Sequence, residues 1–274
     1  MNPYELLLLL VLLCVGLVLF DKARTAERRR RSRHDEFPRR WVAYLQKNVP
    51  IYARLPKTLK HDLQGLVRAF IDEKEFEACG GLEEVSEEMQ VTIAAHACLL
   101  LLNKDGPAYA RLRSILVYPG DYRGEDVYDE YDDEARSGES WSTGSVVLSW
   151  DAIERTAHDV KDGENLIIHE FAHQLDQEDG VSDGAPPLEN ASAYRAWARV
   201  FGTHYADLRE KVSKGQRTDL DSYGATDPAE FFAVATEAFF ERPKQLAEGR
   251  PDLYDQLKSF YRVDPQRWGG DSTK

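Results

Sequence analysis

Two histidines and a glutamate stand at a spacing that metal-dependent hydrolases use. His169, Glu170 and His173 form the pattern H-E-x-x-H within the stretch Asn165–Gly180. Residues four apart lie one above the other on an α-helix, so both imidazoles can face one Zn²⁺ while the glutamate faces a water beside it. Two nitrogen ligands, a carboxylate base and an open position are what metal-assisted peptide hydrolysis requires. The alternative interpretation is a histidine pair stacked on a helix face without a metal.

Apolar residues surround this pattern. They are Leu166, Ile167, Ile168, Phe171, Ala172 and Leu175. A helix with such a sequence packs in a protein core, and polar side chains on it need partners there. The context therefore favours a zinc site over an isolated histidine pair.

A zinc site of this kind needs a third protein ligand. Asp179 stands ten residues after His169, but an unbroken helix would carry it about 15 Å along the axis and out of reach. We therefore exclude Asp179 as a ligand. Asp176 stays on the same helix face as the histidines, and we predict that its carboxylate orients an imidazole without binding the metal.

Glu230 and Glu237 are the remaining candidates for the third ligand. They are seven residues apart and share one face of the apolar helix predicted for Pro228–Arg242. A buried carboxylate needs a charge partner, which a metal would supply. Glu230 has an alternative role, because Asp227–Glu230 resembles a capping box in which the glutamate binds the backbone at the helix start. From the residues alone, the two glutamates are close to equal as candidates.

Charge is unevenly distributed along the chain. Residues 1–40 contain nine Lys/Arg and five Asp/Glu, while the rest carries −17 and brings the total to −13. An acidic body of this kind argues against nucleic acid as a partner. The three cysteines, Cys14, Cys79 and Cys98, form no C-x-x-C pair, which argues against a cysteine metal site.

The N-terminal segment resembles a membrane anchor. Leu6–Phe20 has fifteen residues without a charge, and Arg28–Arg31 and Arg33 follow it. Fifteen helical residues span only about 22 Å, so the bilayer would have to thin locally. A cleaved signal peptide is the alternative, but a basic N-terminus and a small-residue cleavage site are missing. The basic flank favours a single-pass anchor in residues 1–20 of a cell inner membrane protein, a basic juxtamembrane linker in residues 21–40 and a cytoplasmic body.

Hydrophobic periodicity predicts an α+β fold, a mostly helical domain in residues 41–264 with a small β-sheet and a flexible tail in residues 265–274. The predicted helices are Phe37–Gln46, Leu59–Glu77, Ser86–Leu102, Asn165–Gly180, Asn190–Val212, Pro228–Arg242 and Pro251–Tyr261, and the predicted strands are Ser114–Tyr118 and Ser145–Trp150. The second strand shortly precedes the H-E-x-x-H helix. We predict that it is an edge strand, where an extended peptide could bind by main-chain hydrogen bonds.

Several blocks of the sequence together resemble the Mlc titration factor A family of zinc peptidases. They are Asn165–Asp176, Asp221–Val234, Gly138–Trp141 and Val146–Trp150. The resemblance covers roughly Leu59–Tyr261, and its joint motif is more specific than H-E-x-x-H alone. It implies a zincin-like metallopeptidase domain.

The resemblance also assigns roles that spacing leaves open. It implies that Glu230 is the glutamate ligand and that Tyr223, seven residues earlier, is a catalytic tyrosine. The Tyr-x6-Glu arrangement is similar to that of the anthrax lethal factor catalytic domain. His169, His173 and Glu230 would then hold Zn²⁺. Glu170 would act as general base on a water, and the phenol of Tyr223 would donate a hydrogen bond to the oxyanion of a tetrahedral intermediate.

Two functions follow from the resemblance. The first is a zinc metallopeptidase that hydrolyses peptide bonds, with a leaning towards aminopeptidase activity on small peptides. The second is a membrane-tethered regulatory protein, since the family is implicated in binding and inactivating a transcriptional repressor of sugar uptake. The N-terminal anchor departs from the family pattern and bears on location and partners more than on chemistry.

Overall fold

A central helix carries the H-E-x-x-H residues, and other helices and a sheet enclose it. The computed structural model describes residues 5–7, 36–104, 109–123, 135–136, 138–141, 144–156 and 163–269. Its α-helices are α1 (Arg39–Asn48), α2 (Pro50–Arg54), α3 (Lys57–Glu73), α4 (Glu87–Leu99), α5 (Trp150–Thr156), α6 (Leu166–Asp176), α7 (Ala191–Ser213), α8 (Pro228–Glu241), α9 (Pro243–Gly249) and α10 (Pro251–Tyr261). The central helix is α6, which packs against α8, α4, α5 and the sheet.

The sheet is small and largely parallel. Its strands are β1 (Glu75–Ala78), β2 (Ser114–Tyr118), β5 (Gly138–Trp141) and β6 (Ser145–Ser149), in the order β1-β2-β6-β5, and a separate two-residue pair joins β3 (Tyr122–Arg123) to β4 (Ala135–Arg136). β1, β2 and β6 run parallel, whereas β5 is antiparallel to β6. The predicted α+β class is confirmed as a mostly helical chain with one small sheet.

The end of α3 corrects one predicted element. The sequence pattern extended this helix to Glu77, but α3 ends at Glu73, and Glu75–Ala78 forms β1 against β2. The backbone N–H of Glu75 donates to Arg113 at 3.0 Å, which continues the chain into the sheet. Pairing with a strand distant in sequence therefore overrides a local helical pattern here.

The position of the strand before α6 is a second correction. The sequence predicted Ser145–Trp150 to be an edge strand. In the structure β6 lies between β2 and β5, and Trp150 already begins α5. The outer strand on this side is β5, which lies next to α6.

The loop after α6 is pinned to the two helices that follow it. The N–H of Gly184 donates to Asp176 at the end of α6 at 2.9 Å, and its carbonyl accepts from the indole of Trp197 on α7 at 2.8 Å. Gly184 has a φ of +77°, and an added Cβ would lie 2.2 Å from the carbonyl oxygen of Pro228 at the start of α8. Glycine is therefore required here, and this close approach fixes the start of α8 relative to the end of α6.

Capping residues set the starts of the helices that form the site. Asn165 accepts a hydrogen bond from Ile168 at the start of α6, and Asp227 accepts one from Glu230 at the start of α8. Short polar side chains at these positions satisfy backbone N–H groups that the helix itself leaves free. The predicted starts of α7 and α8 are confirmed, because Asn190 and Asp227 are the caps.

The ends of the chain lie partly outside the described residues. Residues 8–35, which hold most of the predicted anchor and linker, lie outside the described residues. Residues 124–134 and 270–274 also lie outside them. In the part of the chain that the structure describes, no helix is both long and apolar enough to cross a membrane. The packed body continues past position 264, since Trp268 is buried and lies beside Phe240.

Candidate metal centre

One turn of α6 presents two imidazoles to the same point. The Nε2 atoms of His169 and His173 lie 3.2 Å apart, and the ring centroids are separated by 4.9 Å. Helical spacing of four residues brings the two rings together edge to face, and the sequence predicted their proximity. Both rings are largely enclosed, so they meet in a partly dry environment.

The carboxylate of Glu230 faces both histidines from the first turn of α8. Its Oε2 lies 2.9 Å from Nε2 of His169 and 3.5 Å from Nε2 of His173. These three side chains offer donor atoms that all lie within 4.8 Å of one another, and they form the one such cluster found in the described residues. The capping-box role considered for this carboxylate does not apply, because it lies against the imidazoles.

Glu237 contacts the other edge of the same ring. Its Oε1 lies 2.7 Å from Nδ1 of His169, so the two glutamates that were equal candidates in the sequence occupy opposite nitrogens of one imidazole. A carboxylate on Nδ1 holds the proton there and leaves the lone pair of Nε2 for a metal. Glu237 is therefore placed to orient His169, whereas Glu230 stands where a third ligand would stand.

Two further residues of this network were missed in the sequence. The backbone N–H of Asn165 donates to Oε2 of Glu237, and the Asn165 side-chain amide donates to Glu241 at 2.9 Å. Glu237 and Glu241 are only 6% and 4% exposed. The available signal was the spacing of two glutamates four apart on an apolar helix, together with an asparagine directly before α6.

Charge coupling within the cluster is strong. Burial opposes ionisation of His169, but the neighbouring Glu237 and Glu230 carboxylates raise its pKa well above the ordinary value. Burial would likewise raise the pKa of Glu230, but hydrogen bonds from His169 and His173 lower it to about 2. The cluster therefore stabilises a positive charge between the imidazoles and the Glu230 carboxylate. A proton or a metal ion can supply that charge.

The donor separations fit a small divalent ion. For a tetrahedral ion with bonds of about 2.1 Å, ligand atoms stand roughly 3.4 Å apart. The three observed separations are 3.2, 2.9 and 3.5 Å. Two imidazole nitrogens and one carboxylate oxygen also form the ligand set of known catalytic sites that keep a fourth position open. The residues present thus fit a metal.

The two predicted catalytic residues both lie beside this cluster. Glu170 is only 5% exposed, and its charge contributes to the raised pKa of His169. Tyr223 is 56% exposed on the one-turn 3-10 helix Ser222–Ala225, with its ring centroid 6.0 Å from that of His169.

Asp176 differs from its prediction. We expected its carboxylate to orient an imidazole, but at the end of α6 this carboxylate bonds to the following loop. It accepts hydrogen bonds from the N–H of Gly184 and the hydroxyl of Ser182, at 2.9 and 3.4 Å. Burial raises the pKa of Asp176 to about 6. The orienting carboxylate is Glu237, and Asp176 anchors the loop.

Asp179 lies outside the cluster, as predicted. It follows α6 in a 3-10 turn, Gln177–Asp179, and its carboxylate accepts a hydrogen bond from Val181 at 3.0 Å. The α-helix does end at Asp176, but the chain continues in the tighter turn and does not bring Asp179 back to the histidines.

Comparison with known proteins agrees with this geometry. The glucose-regulated metallo-peptidase M90 family matches residues 23–262. The chain belongs to the M90 metallopeptidase family. An uncharacterized Synechocystis protein, slr2042, is 36% identical over 235 residues, covering 83% of this chain and 85% of the relative.

Other M90 relatives carry the name Mlc titration factor A. The protein from Klebsiella pneumoniae is 31% identical over 228 residues, covering 79% of this chain and 84% of its own. The protein from Pectobacterium atrosepticum is 32% identical over 241 residues, covering 82% and 86%. The family assignment of the sequence is thereby confirmed, and a metallopeptidase family implies a bound metal.

The position of Glu237 in this M90 chain predicts a weaker metal site when its charge is removed. Glu237→Gln should lower the affinity for a divalent metal about 10- to 100-fold, because His169 loses the carboxylate that fixes its tautomer. Isothermal titration with Zn²⁺ measures the change. The matched control is Glu241→Gln, which has the same helix, charge and burial but bonds to Asn165. Equal losses in both variants would contradict the orienting role.

Proposed function

We propose that this chain is a zinc-dependent peptidase that hydrolyses peptide bonds with Glu170 as the general base. The observation that carries the proposal is the arrangement around His169. Glu230 and His173 both contact Nε2 of His169, and Glu237 contacts its Nδ1. Membership of a metallopeptidase family supports the same reading. A three-ligand site with an oriented imidazole is the arrangement of catalytic zinc rather than structural zinc.

Zinc is the metal of the proposal, with His169, His173 and Glu230 as its ligands. The choice follows from the donor set, because two imidazoles and one carboxylate at tetrahedral separations suit Zn²⁺. When bound, zinc would supply a Lewis acid that polarises a carbonyl and makes a nearby water acidic at neutral pH. The remaining work belongs to the protein's own side chains.

Proton transfer is the task of Glu170. In the proposed reaction its carboxylate accepts a proton from the attacking water and later delivers that proton to the leaving amine. Its place next to His169 in the chain and its near-complete burial keep it close to the site and shielded from bulk water. Low exposure strengthens the charge interactions on which such a transfer depends.

Oxyanion stabilisation is the task of Tyr223. The phenol would donate a hydrogen bond to the oxygen that becomes negative when water attacks the carbonyl. Its ring lies close to His169 yet is exposed, so a substrate can reach it. The antiparallel outer strand β5 runs beside α6 and offers an edge on which an extended peptide can lie. These features favour a peptide substrate, and family resemblance favours aminopeptidase action on small peptides.

Substitution of the proposed base should give a protein that binds zinc but hydrolyses peptides slowly. Glu170→Gln should lower kcat for hydrolysis of fluorogenic peptides and amino-acid amides about 10²- to 10⁴-fold, the usual contribution of a positioned base. Zinc content, measured by atomic absorption, should stay at the wild-type level because the three ligands are unchanged.

The control for this variant is Asp179→Asn. It removes a carboxylate from the turn directly after α6, where the side chain bonds to the backbone of the loop. Its activity should remain within about twofold of wild type, as for a surface substitution away from the site. Full activity of Glu170→Gln would reject the proposed mechanism.

A second candidate function is the binding of a transcriptional repressor. The name Mlc titration factor A, carried by relatives about 30% identical, favours it. In this role the chain would sequester a repressor of the Mlc kind and need no turnover. Purified Mlc should then form a complex with the detergent-solubilised full chain in size-exclusion chromatography, and Glu170→Gln should form it equally well. No complex with either protein would reject this candidate.

The proposed location is the cell inner membrane, with a single anchor in residues 1–20 and the peptidase body in the cytoplasm. The apolar run Leu6–Phe20 and the arginines after it support this location. The full chain should sediment with membranes and remain there in high salt, whereas a chain that begins at Asp35 should not. A full chain that stays in the supernatant would contradict the anchor.

A further inference from the structure

The segment that carries Tyr223 is a connection rather than a core element. It joins α7, which ends at Ser213, to α8, which starts at Pro228. Tyr223 stands on a single 3-10 turn within it and is more than half exposed. A side chain that donates a hydrogen bond to a developing oxyanion needs a fixed position. Because the ring of Tyr223 is exposed, its own packing does not fix that position.

Apolar contacts hold this segment on both sides of Tyr223. Leu220 is buried in the main core. Gly224 is packed so closely that an added Cβ would lie 3.2 Å from Val234 on α8 and 3.3 Å from Leu208 on α7. Within the turn, Asp221 accepts a hydrogen bond from the backbone N–H of Tyr223 at 2.7 Å. These contacts place the segment against α7 and α8.

A buried arginine from another part of the chain adds the strongest polar contact. Arg250, between α9 and α10, donates from Nε and Nη2 to the two carboxylate oxygens of Asp219 at 2.8 and 2.7 Å. This two-point geometry fixes both distance and orientation. The Arg250 side chain is 3% exposed, and its hydrogen bonds hold the pKa of Asp219 below the ordinary value.

The same guanidinium is anchored to α7. Nη2 of Arg250 also donates to Asp207 at 2.9 Å, and Nη1 donates to Nδ1 of His204 at 2.9 Å. His204 in turn donates from Nε2 to Asp252 at 2.7 Å. Arg250 is therefore fixed to α7 and, through His204, to the start of α10. Its two hydrogen bonds to Asp219 consequently also fix the segment that carries Tyr223.

We propose that Arg250 and Asp219 are positioning residues that hold the Tyr223 segment at the metal centre. The inference rests on the proposed function, since it assigns a task to residues that act through Tyr223. The hydrogen bonds described for Arg250 end on Asp219, Asp207 and His204 and not on the metal-centre side chains. Loss of the Arg250–Asp219 contact should therefore affect the step that uses Tyr223 and leave metal binding intact.

The first test is Asp219→Asn in the full chain. The amide keeps the shape of the side chain but presents an NH₂ group to the guanidinium, which breaks the two-point contact. We expect kcat for peptide hydrolysis to fall roughly tenfold, below the 10²- to 10³-fold that loss of an oxyanion donor itself costs. KM and zinc content should change little, because an interaction used only in the transition state appears in kcat and the metal-centre side chains are unchanged.

The matched control is Asp207→Asn. It removes a carboxylate from the same guanidinium, but Asp207 lies on α7 and not on the tyrosine segment. Its kcat should fall clearly less than that of Asp219→Asn, because Arg250 keeps both contacts with Asp219 and its hydrogen bond to His204. An equal fall in both variants would mean that the cluster only supports the fold, and would overturn the proposal.

A double-mutant cycle separates positioning from general damage. In a Tyr223→Phe background, Asp219→Asn should have no further effect on kcat, because the group it positions is already missing. A tenfold fall that persists in this background would overturn the inference. Loss of activity in Glu170→Gln together with normal kcat in Tyr223→Phe would remove the tyrosine role but leave the peptidase proposal standing.

A second variant guards against misfolding of the first. Arg250→Lys keeps the charge but cannot make the two-point contact with Asp219. It should reproduce the fall in kcat at unchanged zinc content, and again only when Tyr223 is present. Wild-type kcat in a folded Arg250→Lys protein would overturn the proposal.

Discussion

A single buried carboxylate, that of Glu237, connects the two helices that form the candidate metal centre. One of its oxygens accepts the backbone N–H of Asn165 at the start of α6, and the other lies on Nδ1 of His169 one turn later. The contact therefore fixes the ring of a candidate ligand and the start of its helix from the same side chain on α8. Glu230 stands two turns before Glu237 on α8, about 10 Å along its axis. Any slip of α8 along α6 would remove both glutamates from the imidazole together.

Burial makes this arrangement demanding as well as effective. Glu237 and Glu241 lie on a helix whose other residues, apart from Glu230 and Thr236, are apolar, and an unpaired charge is costly there. The amide groups of Asn165 and the imidazole of His169 provide hydrogen-bond partners for these two carboxylates. In such surroundings each hydrogen bond is stronger than in water, and the geometry is fixed before any ligand arrives. A preorganised centre of this kind is what the proposed hydrolysis requires, since reorganisation during the reaction would add to its barrier.

The sequence predicts what is local and leaves open what depends on distant packing. Helical spacing was enough to bring His169 and His173 together, and the caps of α7 and α8 were readable from Asn190 and Asp227. Strand β1 was missed because Glu75–Ala78 has only four residues, directly follows a helical pattern and gains its pairing from β2, which is distant in sequence. Periodicity placed Glu230 and Glu237 on one face of α8, and only the angle at which α8 crosses α6 assigns them to opposite ring nitrogens. The prediction for Asp176 was wrong for a related reason. The loop after α6 returns to this residue, and the N–H of Gly184 donates to its carboxylate.

The proposed machinery divides into two parts that the fold secures differently. The metal part belongs to α6 and α8, where cap, ligand and orienting residue are enclosed by the core. The tyrosine part belongs to a connection that is exposed at Tyr223 and held by its neighbours at Leu220 and Gly224 and by Asp219. In the proposed mechanism, metal affinity and transition-state stabilisation therefore depend on different contacts. A substrate bound at the cluster beside Tyr223 would also shield the exposed phenol from water, and a hydrogen bond to an oxyanion strengthens as water leaves. Exposure of Tyr223 in the free protein is thus compatible with a strong contribution once substrate covers it.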